Sequence, residues 1–460
     1  MNQLNRLTRL SPEAFASNFA ENVPGLTRKA AMEESNRCLY CYDAPCIKAC
    51  PTSINIPSFI KRIATDNLKG SATAIMEANP VGASCARVCP TEELCEGACV
   101  LNDESEPIKI GLLQRYATDW AMESGQTLFK AGPSNGRKVA VIGGGPAGLS
   151  AARELAREGF AVVIFEAKSM AGGLDTYGIV SFRLPQPVSL WEVRQVEKLG
   201  VEIRTGVRVG VDISAAQLAE QYDAIVLAAG MSSVPSLGID GEELEGVYDA
   251  IEYVEGTKTD VPPFAIQGAQ VAVIGAGNTA IDAATCSVRL GASNVKMIYR
   301  RTKEEMTAYD FEYEFAKQEG VEFSWLTAPK RMIGDSFGRV THLECVRMEL
   351  SDVTGKDGRR TPTVVEGSEF LYPVDAVILA IGQKRHLGLI ELLGLEHNQG
   401  VVLIDEATRR TSNPQIYAAG DIVFGAGQGE AMVVSAAEQG KQTAYAISRF
   451  FAEKQNTAAI

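Results

Sequence analysis

Twice in this chain an apolar run opens into a glycine-rich turn, first as Val139-Ala-Val-Ile-Gly143-Gly-Gly145-Pro-Ala-Gly148 and again as Val271-Ala-Val-Ile-Gly275-Ala-Gly277-Asn278-Thr279-Ala280. A short apolar run of this kind reads as a strand buried on both faces, and G-x-G-x-x-G at its end reads as the strand, tight turn and helix of a dinucleotide-binding fold. Each position has a task. Gly143 and Gly275 permit the turn, and Gly145 and Gly277 let backbone approach a pyrophosphate. Gly148 lets the helix pack close to the strand, a task that Ala280 also meets. Amides at the helix mouth, where Asn278 and Thr279 stand in the second copy, then hold the anion without a cation.

The two turns are paired with different strand ends. The strand Ala161–Phe165 ends in Glu166, 23 residues after Gly143, where a carboxylate accepts from both ribose hydroxyls. The strand Val295–Tyr299 instead ends in Arg300-Arg301, guanidiniums suited to a 2′-phosphate, which favours NADP(H) over NAD(H). Glu304 and Glu305 are close enough in sequence to neutralise them, so the choice stays open. Two such sites in one chain point to FAD in the first and a nicotinamide in the second, a pairing that brings a hydride donor to a flavin.

The 460 residues suffice for two or three domains, and 46% apolar with 22% charged residues excludes disorder. A net charge of −13 argues against nucleic acid as a partner. No apolar run reaches the ~18–20 residues of a membrane span, and Met1–Ala20 has no continuous apolar stretch, so a cytoplasmic protein with no membrane partner is expected.

Eight of the ten cysteines fall between Cys38 and Cys99. They form the runs Cys38-x₂-Cys41-x₄-Cys46-x₃-Cys50-Pro51 and Cys85-x₃-Cys89-Pro90-x₅-Cys95-x₃-Cys99. In a cytosolic chain such clustering serves metal or redox chemistry rather than disulfides. Zinc competes, but zinc modules repeat C-x₂₋₄-C pairs, whereas the double Cys-Pro ending is that of iron–sulfur runs, which favours two [4Fe–4S] clusters. Residues 137–460 carry only Cys286 and Cys345, read as core thiols, and no redox pair. Electrons from a flavin therefore leave through the cysteine module.

The expected fold class is α/β. An α-helical iron–sulfur domain over residues 1–132, with helices at Ile56–Leu68 and Ile108–Ser124, precedes two Rossmann-like domains, the second inserted in the first. The FAD-binding domain is expected over 137–265 and 375–460, where strands Asp375–Ile381 and Gln415–Ala418 and the helix Ala431–Phe451 complete it; the NAD(P)H-binding domain is expected over 266–374.

Glu166 followed by Gly172-Gly173, the strand end Leu227-Ala-Ala-Gly230, and Ile416-Tyr-Ala-Ala-Gly420-Asp421 resemble the flavin-dependent pyridine-nucleotide reductases. The resemblance implies that Gly173 and Gly420 adjoin the flavin and that Asp421 hydrogen-bonds its ribityl chain. A closer resemblance, to the dihydropyrimidine dehydrogenase family, is carried by Cys38-Leu-Tyr-Cys41-Tyr-Asp-Ala-Pro-Cys46-x₃-Cys50-Pro-Thr, by Asn79-Pro-Val-Gly-x₂-Cys85-x₃-Cys89-Pro-Thr-x₂-Leu-Cys95-x₃-Cys99, and by Ile110-Gly111-x-Leu113-Gln114. It implies crossed ligation, with Cys38, Cys41, Cys46 and Cys99 on one cluster and Cys50, Cys89, Cys95 and Gln114 on the other, Cys85 being a spectator. The alternative, Cys85 as ligand and Gln114 as an ordinary helix residue, stays open.

The resemblance further implies an electron-input subunit of a hetero-oligomer, whose partner carries FMN and iron–sulfur sites and reduces uracil or thymine. No catalytic acid, base or nucleophile is then expected on this chain. The small subunit of glutamate synthase shares the three-part plan and is the main rival; Tyr299-Arg300-Arg301 is similar to it. A zinc-stabilised, non-enzymatic interaction module is the third reading.

Overall fold

A computed structural model describes residues 7–231, 233–259, 262–355, 358–425 and 431–458. The chain divides into two compact units.

One unit comprises Val23–Thr176, Arg183–Met231 and Arg385–Ile460, so the cysteine module and the first nucleotide fold belong to a single body. The module is built of short helices, each started by local chemistry. Thr27, Asn55 and Asn67 side chains accept from the amides of Ala30, Ser58 and Gly70 and so begin the helices Arg28–Arg37, Ile56–Ala64 and Leu68–Ala78. Apolar spacing then buries Ile56, Phe59, Ile60 and Ile63 on one face, against Ile75, Ile110 and Leu113. The helix expected over Ile56–Leu68 is two: it ends at Ala64, and Asp66 turns the chain at φ +59° before Leu68. The one expected from Ile108 begins at Ile110 and runs to Ser124, with Gly125 as its left-handed cap.

The first nucleotide fold is a five-stranded parallel sheet in the order Ile416–Ala418, Ala224–Leu227, Lys138–Ile142, Ala161–Glu166, Glu202–Thr205. Helices Pro146–Arg157 and Val433–Ala458 cross so closely that a Cβ on Gly440 would stand 2.1 Å from the Ala147 carbonyl oxygen.

The other unit comprises Met1–Asn22, Tyr177–Phe182 and Ser232–Lys384. Its parallel sheet runs Val247–Asp249, Ala376–Leu379, Gln270–Ile274, Asn294–Ile298, Glu322–Ser324. A four-stranded antiparallel sheet, not expected from the sequence, is formed by Thr327–Gly334, Val340–Thr354, Arg360–Val364 and Phe370–Pro373.

Three expected boundaries are therefore corrected. The strand near Asp375–Ile381 belongs to the second sheet, where Ala376 pairs with Val271 and Leu379 with Ile274. An apolar run declares that it is buried on both faces, not which sheet it joins. The second sheet also takes the strand Val247–Asp249, ahead of the start expected at 266. Finally, the first residues leave the cysteine module: Phe19 packs on Phe182, and Asn18 exchanges hydrogen bonds with Arg289.

Candidate cofactor and cluster sites

In the first fold Gly143, Gly148 and Gly173 occupy positions that no side chain could share. Gly143, at φ +102°, donates to the Phe165 carbonyl at 2.9 Å, and its Cβ would meet the Ala228 oxygen at 2.4 Å. A Cβ on Gly148 would meet the Gly143 oxygen at 2.0 Å. Gly172 N–H donates to Gly144 O at 2.7 Å, which draws Gly173 so close that its Cβ would lie 2.8 Å from Gly145 Cα. Glu166, 9% exposed at its strand end, accepts the Gly144 amide on Oε2 and the Lys168 amide on Oε1, both at 2.8 Å.

Gly420 (φ +80°) donates to Gln439 Oε1 at 2.8 Å and abuts Ala147 of the fingerprint helix. Desolvation pushes the Asp421 carboxyl up, more than the Arg385 guanidinium draws it down. Arg385 donates to the carbonyls of Asp421 and Phe424. This cradle of bare backbone, with one carboxylate at its edge, fits the pyrophosphate and ribose of FAD. Arg385 and Gln439, which hold its far side, carry no motif and were not legible in the sequence.

The second fold repeats the turn. Gly275, at φ +134°, donates to Ile298 O at 3.1 Å, and its Cβ would meet Ala380 O at 2.2 Å. Gly277 caps the helix Asn278–Arg289, in which Ala280 is fully buried and Thr279 half-buried. A segment the sequence did not reveal adjoins this turn: the Thr307 and Ala308 amides donate to Ala276 O, and Tyr309 N–H donates to Asn278 Oδ1. The arginine pair is divided. Arg300 is exposed, whereas Arg301 is 5% exposed and its Nε donates to the Arg360 carbonyl at 2.9 Å. Glu305 is engaged by Arg360 Nε at 2.6 Å.

In the cysteine module, Cys38, Cys41, Cys46 and Cys99 line one apolar pocket floored by Ile56 and Ile60. Burial pushes the Cys46 thiol up to about 11, and Cys38 and Cys99 add to the shift. Cys95 is raised further by burial, with Cys89 and Cys50 among its neighbours. Thiols this reluctant to ionise are poor nucleophiles. Among the described residues no three His, Cys, Asp or Glu side chains converge as a single ion requires. Four thiols around one pocket are the donor set that a [4Fe–4S] cluster takes.

Gln114 is buried and its Nε2 donates to the Gly82 carbonyl at 2.7 Å, which fixes the orientation of the side-chain amide. Cys85 is buried among Val81, Val434 and Ala437. Burial, followed by its side-chain hydrogen bond with Cys89, raises its thiol strongly. Cys286 and Cys345 are fully buried, and burial raises both, Cys345 to about 12.

Comparison with known proteins agrees with these two halves. Residues 15–126 match the family model for dihydropyrimidine dehydrogenase domain II, 4Fe-4S cluster, and residues 137–440 match that for pyridine nucleotide-disulphide oxidoreductase. The chain is 34% identical to the glutamate synthase (NADPH) small chain of Escherichia coli K12, over 93% of this chain and 92% of that one. It is 35% identical to the NAD-dependent dihydropyrimidine dehydrogenase subunit PreT of the same strain, over 94% and 96%. Identity is again 35% to the NADP(+)-dependent formate dehydrogenase subunit beta of Moorella thermoacetica, but there the chain spans only 60% of the relative's length. Among solved structures, Mycobacterium tuberculosis FprA in complex with NADPH superposes with a TM-score of 0.56 at 20% identity, covering 70% of this chain and 86% of that one. The thioredoxin reductase of T. acidophilum gives 0.54 at 22%, covering 68% and 99%. At these identities the structures speak for the fold alone.

Proposed function

This chain belongs to the pyridine nucleotide-disulphide oxidoreductase family, and from that premise we propose that it is the electron-input subunit of a dihydropyrimidine dehydrogenase. In this reading it oxidises NAD(P)H and delivers the electrons, through FAD and two [4Fe–4S] clusters, to a partner subunit holding FMN, where uracil or thymine becomes the 5,6-dihydropyrimidine. The observation that carries it is the sharing of one compact unit by the cysteine module and the Gly143–Gly148 cradle, which puts the metal-binding thiols and the flavin fold in one body.

FAD, when bound, accepts hydride as an electron pair and gives electrons up singly, as iron–sulfur centres require. The chain's task is placement. Gly143, Gly145, Gly148 and Gly173 leave backbone amides and space for the pyrophosphate, and Glu166 holds the ribose. Asp421 sits beside them, buried enough to act as a hydrogen-bonding partner rather than a solvated charge. Gly275, Gly277, Asn278, Thr279 and Ala280 form the nicotinamide dinucleotide's turn, with Arg300 outside it for a 2′-phosphate. Cys38, Cys41, Cys46 and Cys99 would hold one cluster, and Cys50, Cys89, Cys95 and Gln114 the other.

A partner is supported by the surface beside the first thiol group. Leu39, Tyr42 and Val100, neighbours of Cys38, Cys41 and Cys99, are 62%, 105% and 40% exposed. Apolar side chains around an electron outlet suit burial under another subunit.

The test is co-expression with a candidate FMN-barrel subunit and measurement of uracil-dependent oxidation of NADH and of NADPH. Oxidation of either supports the reading, and none with both refutes it. A second reading, the small subunit of a glutamate synthase, is favoured by the 34% identity over nearly the whole of that chain. It predicts instead oxidation dependent on glutamine and 2-oxoglutarate when the partner is a large amidotransferase chain.

A further inference from the structure

The corner between the helices Leu68–Ala78 and Gly82–Val88 is gripped by side chains from outside the cysteine module. At the carbonyl end of the first helix, Lys441 Nζ donates to Ala78 O at 2.6 Å and Arg153 Nη2 to Glu77 O at 2.9 Å. At the amide end of the second, Glu192 Oε1 accepts from Ala83 N at 2.7 Å and from Ser84 N at 3.0 Å, while Oε2 takes the Ser84 hydroxyl at 2.5 Å. Cations meet carbonyls and an anion meets amides, the sense in which helix ends are polarised.

Glu192 is 1% exposed and lies outside both glycine fingerprints. A carboxylate in so dry a place is costly to keep, but without it the buried amides of Ala83 and Ser84 and the Ser84 hydroxyl would lose their acceptor. What it touches explains its retention. The same helical turn fixes Gln114, whose Nε2 donates to Gly82 O, and Gly82 has no room for a side chain, since its Cβ would meet Ile75 Cγ2 at 2.8 Å. The helix ends at Cys89, whose amide donates to Cys85 O at 3.0 Å.

We propose that Glu192 is a positioning residue for the second cluster. It fixes the Gly82–Val88 helix, and with it Gln114 and Cys89, against the flavin fold, and it places a negative charge beside those ligands that lowers the cluster's potential. The proposal rests on the assignment of Cys50, Cys89, Cys95 and Gln114 to that cluster.

The experiment compares the full-length, FAD- and cluster-loaded wild type with Glu192→Gln and Ser84→Ala. At pH 8.5 it measures the midpoint potential of each cluster by EPR-monitored titration, and iron loss to a chelator. Glu192→Gln is expected to raise the potential of one cluster by at least the 59 mV that a tenfold change in a one-electron equilibrium represents, leaving the other unmoved, and to speed iron loss. Ser84→Ala, which keeps the charge but removes one donor, is expected to speed iron loss with a smaller shift. Unchanged potentials in Glu192→Gln, or equal shifts of both clusters as general loosening would give, overturn the proposal. If Glu192→Gln does not fold, Ser84→Ala decides by its iron loss: faster than wild type supports the proposal, equal overturns it. Four iron atoms per wild-type chain instead of eight would overturn the two-cluster reading as well, whereas eight with an unshifted Glu192→Gln overturns this proposal alone.

Discussion

Glu166 Oε2 accepts the backbone amide of Gly144 at 2.8 Å, joining the end of one strand to the glycine turn of its neighbour. The carboxylate thus shapes the turn from the place proposed for a ribose. In Glu166→Gln one oxygen becomes an N–H that cannot accept, and the charge is lost. FAD affinity is expected to fall about 10–100-fold, equivalent to roughly 1.5–3 kcal/mol for hydrogen bonds to a charged group. Flavin release followed by fluorescence measures it.

Gln114 and Cys85 compete for one role. With Gln114 as ligand, Gln114→Leu abolishes or alters one cluster's EPR signal and spares the other, while Cys85→Ser leaves both signals as they are. The reverse pattern would make Cys85 the ligand.

The divided arginine pair separates selectivity from stability. Arg300→Ala is expected to raise KM for NADPH about 10–100-fold, as loss of a charge-assisted contact does, with KM for NADH unchanged. Arg301→Ala removes the hydrogen bond to the Arg360 carbonyl and is expected to lower the melting temperature while leaving the NADPH/NADH ratio close to wild type. Steady-state kinetics with both nucleotides and a thermal melt separate the two effects.

Glu192 makes stability depend on pH. Burial pushes its carboxyl up to about 7, although Ser84, the amides of Ser84 and Ala83, and the Arg87 charge oppose it; its ordinary value is 4.5. The folded state therefore holds this proton more tightly than the unfolded chain. The stabilisation is complete below pH 4.5 and is lost as pH rises through 7, a change of about 3 kcal/mol. The melting temperature of the wild type relative to Glu192→Gln is expected to fall between pH 4.5 and 7.5 and to stay level outside that window.

Much of the site could be read from neighbouring letters. The turns at Gly143 and Gly275 are local objects, because steric exclusion of a Cβ within one strand–turn–helix unit dictates glycine there, and both fold as expected. The Asn55 and Asn67 caps act equally locally. Arg301 was not legible in this way: adjacent to Arg300 in sequence, it is buried by the Arg360 segment, 59 residues away. Nor was Glu192, whose partners lie 108 and 109 residues earlier and belong to no motif.

The chain's own order of residues determined that it would build two glycine-turn nucleotide folds and a cysteine-rich helical module, because backbone sterics, helix caps and thiol spacing operate over a few residues. Only the tertiary structure decided that Ala376–Leu379 would join the second sheet and that the flavin fold would grip the corner carrying Cys85 and Cys89. Those outcomes depend on which buried surfaces meet. Apolar runs and buried charges state that they need partners, and packing between distant segments supplies them.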